Sequence, residues 1–344
     1  MGDKSRGNGQ FNAGKKIRMP LWLAVLMGIV CILGLFAYAR LYHPADEEFR
    51  KEFNDRYAVY AIDLPDTLDF AGERVPLADR DIRERFDREL LINTYWQSQT
   101  LLFIKKTGRY YPLIEPILAK YNIPSDFKYL PLAESGLQNV VSPKSAAGFW
   151  QFTPETAKQF GLEVNKEVDE RYNLEKSTEA ACRYLMESYQ VYKSWTLAAA
   201  SYNMGRKALD RQLKRQKANN YYDLLLNEET SRYLMRVLAI KTILEDPGKY
   251  GFHYRKEDLY PVIRTRNLKV DTAILDLADF AKANGTNYKI LKIFNPWLRD
   301  LSLPNKERKR YILHLPLEGY FDYHRNMEIP ADSLQDDKSG DVNP

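Results

Sequence analysis

The sequence predicts a mainly α-helical chain with an apolar helix near its N-terminus and a small α+β unit near its C-terminus, and three observations carry that prediction. Residues 19–39 form an almost unbroken apolar run. Apolar residues then recur at three- and four-residue steps from about residue 81 to 246, the helical period. Past Gly251 the pattern changes to extended, helical, helical, extended.

The apolar run of about 21 residues would reach roughly 30 Å as a helix, enough to span a bilayer. Lys15, Lys16 and Arg18 precede it, so residues 1–18 are expected in the cytoplasm and everything after Arg40 outside it. Ala37-Tyr38-Ala39 has the small-x-small form of a signal-peptidase site, which leaves a cleaved, secreted or periplasmic product as the alternative to an anchor. Ile29-Val30 before Cys31 do not make a lipobox.

Residues 40–80 are charged and carry Pro65 and Pro76, and read as a linker or wrapping arm in which VYAIDL and ERVPL form short strands. Helix ends follow from local chemistry. Thr153-Pro154-Glu155 supplies an N-cap oxygen, a proline where no N–H is needed and a carboxylate at the positive end of the helix dipole. Pro124-Ser125-Asp126 opens a helix toward Glu134 that Gly136 stops, with a kink at Pro131. A further helix covers Thr178 to Tyr192, and another runs from Leu197 through KALDRQLKRQK. A domain over 81–252 is followed by a unit over 258–317, with helices over Thr272–Ala283 and Thr286–Leu298 and a closing strand at RYILHLP. The polar tail at 330–344 is expected to be disordered.

Composition narrows the function. The net charge of +5, offset by 46 acidic residues, gives no nucleic-acid footprint. Cys31 and Cys182 lie far apart, and His43, His253, His314 and His324 are scattered, so no metal-ligand spacing and no Cys-His or Ser-His arrangement is visible. The cluster that carries chemistry is LPLAESGLQNVVSPKSAAGFWQFTPETA. Glu134 ends a helix among Leu130, Leu132, Leu137 and Val140, surroundings that raise a carboxyl pKa and suit it to donate a proton near neutral pH. Spacing alone is a weak signal, because most helix-terminal glutamates are simply solvated.

The ordered segments AESG, SPKSAAGFWQF, AAASYNMG and ETSRYL resemble the successive motifs of the family 1 peptidoglycan lytic transglycosylases, above all their membrane-bound type D branch. The resemblance covers about residues 82–252 and implies a goose-lysozyme-like helical domain. It makes Glu134 the acid/base residue and Ser135 a brace of its loop. Ser142 becomes a contact of the substrate's N-acetyl group, Gln151 a cleft residue, and Tyr202, Asn203 and Tyr233 a lining near the reacting sugar. Trp150 is a supporting residue, either in the core or on the sugar. Phe149-Trp150, Ser201 and Lys144-Ser145 depart from the usual pattern and bear on cleft shape. No second carboxylate stands out, which fits a substrate-assisted reaction without cofactor. The implied partners are peptidoglycan glycan strands, cut between N-acetylmuramic acid and N-acetylglucosamine with a 1,6-anhydro product, and the membrane through residues 19–39. A lysozyme-type hydrolase on the same fold and a non-catalytic wall-binding protein are the alternatives. The 24 tyrosines and 5 tryptophans suit a sugar groove, and the basic face from Arg206 to Lys217 reads first as solvated. LDLADFAKANGTNYKILKIFNPWL resembles the two-helix core of a degenerate LysM module, with Val270-Asp271-Thr272 in place of the usual Gly-Asp-Thr opening.

Overall fold

A computed structural model describes residues 20–41, 47, 50, 51 and 59–317. Lys15, Lys16, Arg18 and the 330–344 tail lie outside the described residues. The chain divides into two compact units, residues 1–61 and 62–344. In the first, α1 (Leu21–Leu41) is long and apolar enough to cross a membrane.

The second unit begins within the arm, at residue 62. Residues 59–64 are not a strand, contrary to the expectation for VYAIDL, and the strand pairing among the arm's described residues is a two-residue hairpin of β1 (Asp69–Phe70) and β2 (Glu73–Arg74). The reason is that the arm's apolar residues pack on helices instead of a sheet: Leu68, Phe70, Val75 and Leu77 are buried, and the Phe70 ring meets Phe127 edge-on at 5.1 Å.

Helices α2 (Arg80–Tyr95) and α3 (Gln97–Lys120) follow, α2 capped by the Asp79 carboxylate. The helix expected from Pro124 with a kink at Pro131 is in fact two pieces. A 3-10 turn (Ser125–Tyr129) hands over to α4 (Leu130–Ser135), which places Pro131 in a first turn, where its missing N–H breaks no bond. Thr153 caps α5 (Pro154–Gln159) as expected. After α6 (Leu174–Tyr192), the helix expected through KALDRQLKRQK is also split, into α7 (Trp195–Met204) and α8 (Arg206–Gln216). Gly205, at φ 82° and ψ 140°, turns the chain between them. The long α9 (Glu228–Glu245) packs along α2 and closes the helical body.

The C-terminal unit has the predicted order: β3 (Thr265–Val270), α10 (Leu277–Ala283), α11 (Tyr288–Phe294), β4 (Tyr311–Pro316). The strands pair antiparallel from Thr265↔Pro316 to Val270↔Tyr311. Both helices start later than expected, because Asp276 and Asn287 are the side chains that cap them. Ala147, Val168 and Tyr172 of the helical body lie in the same apolar cluster as Leu277, Leu291, Trp297 and Leu313. Asp169 N bonds Trp297 O at 2.8 Å, Arg299 N bonds Glu167 O at 2.7 Å, and the Arg299 guanidinium covers the Tyr172 ring at 4.1 Å. This unit therefore shares a core with the helical body.

Candidate active site

Glu134 sits in the last turn of α4, a helix too short to hold itself and anchored by buried Leu130, Pro131 and Leu132. Two consecutive left-handed residues end it, Gly136 at φ 61° and Leu137 at φ 54°, with Gly136 N on Leu132 O at 2.9 Å and Leu137 N on Pro131 O at 3.3 Å. Glycine is required at 136, because a Cβ there would stand 2.9 Å from the Phe103 ring. Leu137 has no such excuse. Its strain of ~1–3 kcal/mol is offset by a side chain only 1% exposed. From α3, Lys106 Nζ donates to Gly136 O at 2.7 Å, and burial lowers that ammonium's pKa. The Ser135 hydroxyl lies between Pro131 O (3.0 Å) and Phe149 O (2.9 Å) and ties the Glu134 turn to the next loop.

The Glu134 side chain keeps a little solvent contact, but protein atoms enclose its carboxyl, and this burial pushes its pKa up to about 7. The Tyr233 hydroxyl and the Arg236 guanidinium pull the other way, and the Glu229 carboxylate adds to the rise. Tyr233 and Tyr202 are held well above the usual phenol range by burial and by the charge of Glu134. Tyr202 is fixed: its hydroxyl donates to Trp150 O at 2.7 Å, and its ring meets those of Trp150, Phe152 and Tyr184 edge-on. The Tyr233 hydroxyl is close enough to act on Glu134, yet it is buried without a hydrogen bond of ordinary geometry. Catalytic hydrogen bonds are often long before substrate binds.

The loop after Glu134 is not slack. Val141↔Ala147 and Ala147↔Phe152 pair as isolated bridges, and Ser142 closes the tip by donating its N–H to Ala146 O (2.8 Å) and accepting from Ala146 N at Oγ (3.1 Å). Gly148, at φ 79°, passes so near the next segment that a Cβ would lie 1.9 Å from Arg171 O. Arg171 grips the loop from behind, with Nη1 on Ser145 O (2.7 Å) and Phe152 O (3.1 Å) and a two-point contact to Asp169.

The structure thus brings Glu134, Tyr202 and Tyr233 together. It turns the Gln151 amide inward, to Val140 O (3.0 Å) and Gly148 O (2.7 Å), with the backbone at φ 49°. Trp150 is fully buried in the core and donates to Thr178 Oγ1 at 2.8 Å. Ser142 and Asn203 make no hydrogen bond to Glu134 among the described residues. Arg171, Glu229 and Arg236 were not singled out from the sequence. For the last two a signal existed, since four residues before and three after Tyr233 place them on its helix face. No group of three or more His, Cys, Asp or Glu is placed to hold a metal ion among the described residues.

Residues 112–225 match the family model of the transglycosylase SLT domain, and residues 266–319 that of the soluble lytic transglycosylase C-terminal LysM-like domain. The membrane-bound lytic murein transglycosylase D of Escherichia coli (strain K12) is 28% identical over 235 residues, 67% of this chain and 50% of that protein. A putative tributyltin chloride resistance protein of Alteromonas sp. (strain M-1) is 30% identical over 135 residues, 39% of this chain and 64% of that one. The chain spans about half the length of the transglycosylase D proteins it matches. The crystal structure of the 70 kDa soluble lytic transglycosylase SLT70 from Escherichia coli aligns at 20% identity with a TM-score of 0.35, covering 42% of this chain and 27% of that one. The chain carries a transglycosylase SLT domain and, after it, a C-terminal LysM-like domain of the soluble lytic transglycosylase type.

Proposed function

We propose that this protein is a peptidoglycan lytic transglycosylase that cuts the β-1,4 bond between N-acetylmuramic acid and N-acetylglucosamine, with Glu134 as its acid/base residue. The observation that carries the reading is a carboxyl held near pH 7 by burial at a braced helix end, faced by Tyr233. A group of that pKa is half protonated near neutrality, the condition under which one residue both gives and takes a proton effectively. Glu134 protonates the glycosidic oxygen as the C1–O bond breaks, and the substrate's acetamido oxygen stabilises the cation forming at C1. The muramic acid 6-hydroxyl then bonds to C1 and returns its proton to the Glu134 carboxylate. The product is a 1,6-anhydro sugar and no water is consumed. The attacker belongs to the same ring, so its effective concentration favours it over water. Tyr233 supplies a hydroxyl beside the carboxyl, Tyr202 and Asn203 line the groove, Ser142 meets the N-acetyl group, and Gln151 shapes the cleft by holding the loop. Helix α1 anchors the protein in the inner membrane, with the helical body outside the cytoplasm.

One observation favours a second reading. Glu229 is an exposed carboxylate near enough to raise the pKa of Glu134, and a second carboxylate of that kind could orient water, as in a hydrolase. Digestion of purified peptidoglycan in ¹⁸O-labelled water separates the two by mass spectrometry. Anhydro ends without label are expected; labelled reducing ends would replace this mechanism with hydrolysis. Glu134→Gln is expected to lose at least 10²-fold in kcat, the lower end of ~10²–10⁴ for a general acid. Full activity in that variant would remove Glu134 from the chemistry.

A further inference from the structure

We infer that Glu89 is a positioning residue for the Glu134 carboxyl, acting through Arg236, the guanidinium that faces Glu89 one helical turn beyond Arg232. Glu89 lies in α2 with 0% exposure, between buried Phe86 and Leu90. A carboxylate in such a place costs several kcal/mol unless it is paired. Arg232 of α9 supplies one partner, with Nε 2.6 Å from Oε1. That contact alone would clamp α2 to α9. The other oxygen is arranged differently: Oε2 is buried without a hydrogen bond among the described residues, and the Arg236 Nε faces it at 3.6 Å.

Arg236 is one helical turn beyond Arg232 and three residues beyond Tyr233, so it shares one face of α9 with the first and a second face with the other. Tyr233 looks onto Glu134, and the charge of Arg236 is felt there as well. The charged and titratable groups around Glu134 are Tyr233, Arg236 and Glu229 from α9 and Tyr202 from α7. Those around Glu89 are Arg232 and Arg236. On its own helix Arg85 is paired with Asp81 at 2.9 Å and Arg88 with Glu228 at 3.1 Å. Arg232 also reaches Glu228, at 3.7 Å, whereas Arg236 has no carboxylate within salt-bridge distance except Glu89 among the described residues.

Arg236 is thus balanced between the buried Glu89 carboxyl, 3.6 Å away, and an acid that must keep its proton until substrate arrives. Glu89 holds the cation on the α2 side, so Glu134 keeps more of its proton at neutral pH. Without Glu89, the guanidinium would be free to turn toward Glu134 and favour its anion.

The inference rests on Glu134 being the acid of the proposed reaction, and the test keeps the two apart. The full chain and its variants Glu89→Gln, Glu89→Asp, Arg236→Met and Glu134→Gln are assayed on purified peptidoglycan from pH 5 to 9. The alkaline limb of kcat/KM is expected to move down by about one pH unit in Glu89→Gln, from the ~1–3 units by which an adjacent opposite charge shifts a carboxyl. It should return toward the parent in Glu89→Asp and move up in Arg236→Met. The Arg236 side chain is 36% exposed, so that variant reads the effect even if the Glu89 variants fail to fold. A lower rate with an unmoved limb in Arg236→Met and in every folded Glu89 variant would reduce Glu89 to a helix clamp and overturn the inference. Full activity in Glu134→Gln would instead strike the proposed function.

Discussion

Two buried acids flank the loop between Glu134 and Thr153, and their surroundings are built on opposite terms. Behind the loop, Asp169 is paired at two points with Arg171, whose remaining donor reaches Ser145 O and Phe152 O; Lys176 covers the neighbouring Glu170. In front of it, Glu134 has burial without a matched cation, and the Tyr233 hydroxyl beside it is itself unpartnered. A satisfied buried network specifies structure, whereas a half-satisfied one stores free energy that a bound substrate can release. The first arrangement holds the loop, and the second leaves a proton available.

Breaking the satisfied side should have the largest effect. Arg171→Met removes the cation and leaves Asp169 buried and alone, a loss of about 3–5 kcal/mol. Gly148→Ala should be comparably severe, because a methyl group cannot occupy a point 1.9 Å from the Arg171 carbonyl oxygen and that oxygen belongs to backbone. Urea unfolding of the purified variants measures both. A loss under 1 kcal/mol in Arg171→Met would show that the loop is held by other contacts.

The unsatisfied side should respond in the opposite direction. Glu134 titrates near 7 in the folded protein against an ordinary 4.5, so folding disfavours its ionised form. Below pH 4.5 both states are protonated and the group contributes nothing. The cost grows between pH 4.5 and 7 and is complete above 7, at most about 3 kcal/mol and nearer 2 after allowance for its partial solvent contact. Glu134→Gln, which cannot ionise, is therefore expected to be more stable than the parent at pH 8 by about 2 kcal/mol and equal to it at pH 4. Thermal unfolding at the two pH values decides the point, and a variant less stable at pH 8 would contradict the assigned electrostatics.

The two sides also differed in how far they could be read from the sequence. The apolar surroundings of Glu134 were legible because those neighbours are adjacent in the chain, and the helix ends at Thr153 and Gly136 because caps are local chemistry. Arg171 was not, since its partners Ser145 and Phe152 lie 26 and 19 residues away and nothing local marks a guanidinium that will bind carbonyl oxygens. The motif makes Gln151 an expected cleft residue, but its inward amide depends on a left-handed backbone that a non-glycine residue does not announce. The break at Gly205 was missed for a different reason: the apolar period continues on both sides of it, and a glycine in mid-pattern is compatible with an unbroken helix.

The smallest effect on stability should come from Tyr233→Phe, and it sharpens the comparison most. The hydroxyl makes no hydrogen bond of ordinary geometry, so removing it should change the unfolding free energy by less than about 1 kcal/mol, or raise it, because a poorly paired buried polar group is replaced by hydrogen. The same hydroxyl lowers the pKa of Glu134, so without it the carboxyl should hold its proton to a higher pH and the alkaline limb of kcat/KM should move upward. If the bond tightens when substrate displaces the last solvent from the carboxyl, kcat should also fall by roughly tenfold, the equivalent of ~1.4 kcal/mol. A phenylalanine variant with lower stability and an unchanged pH profile would place Tyr233 with the structural groups behind the loop.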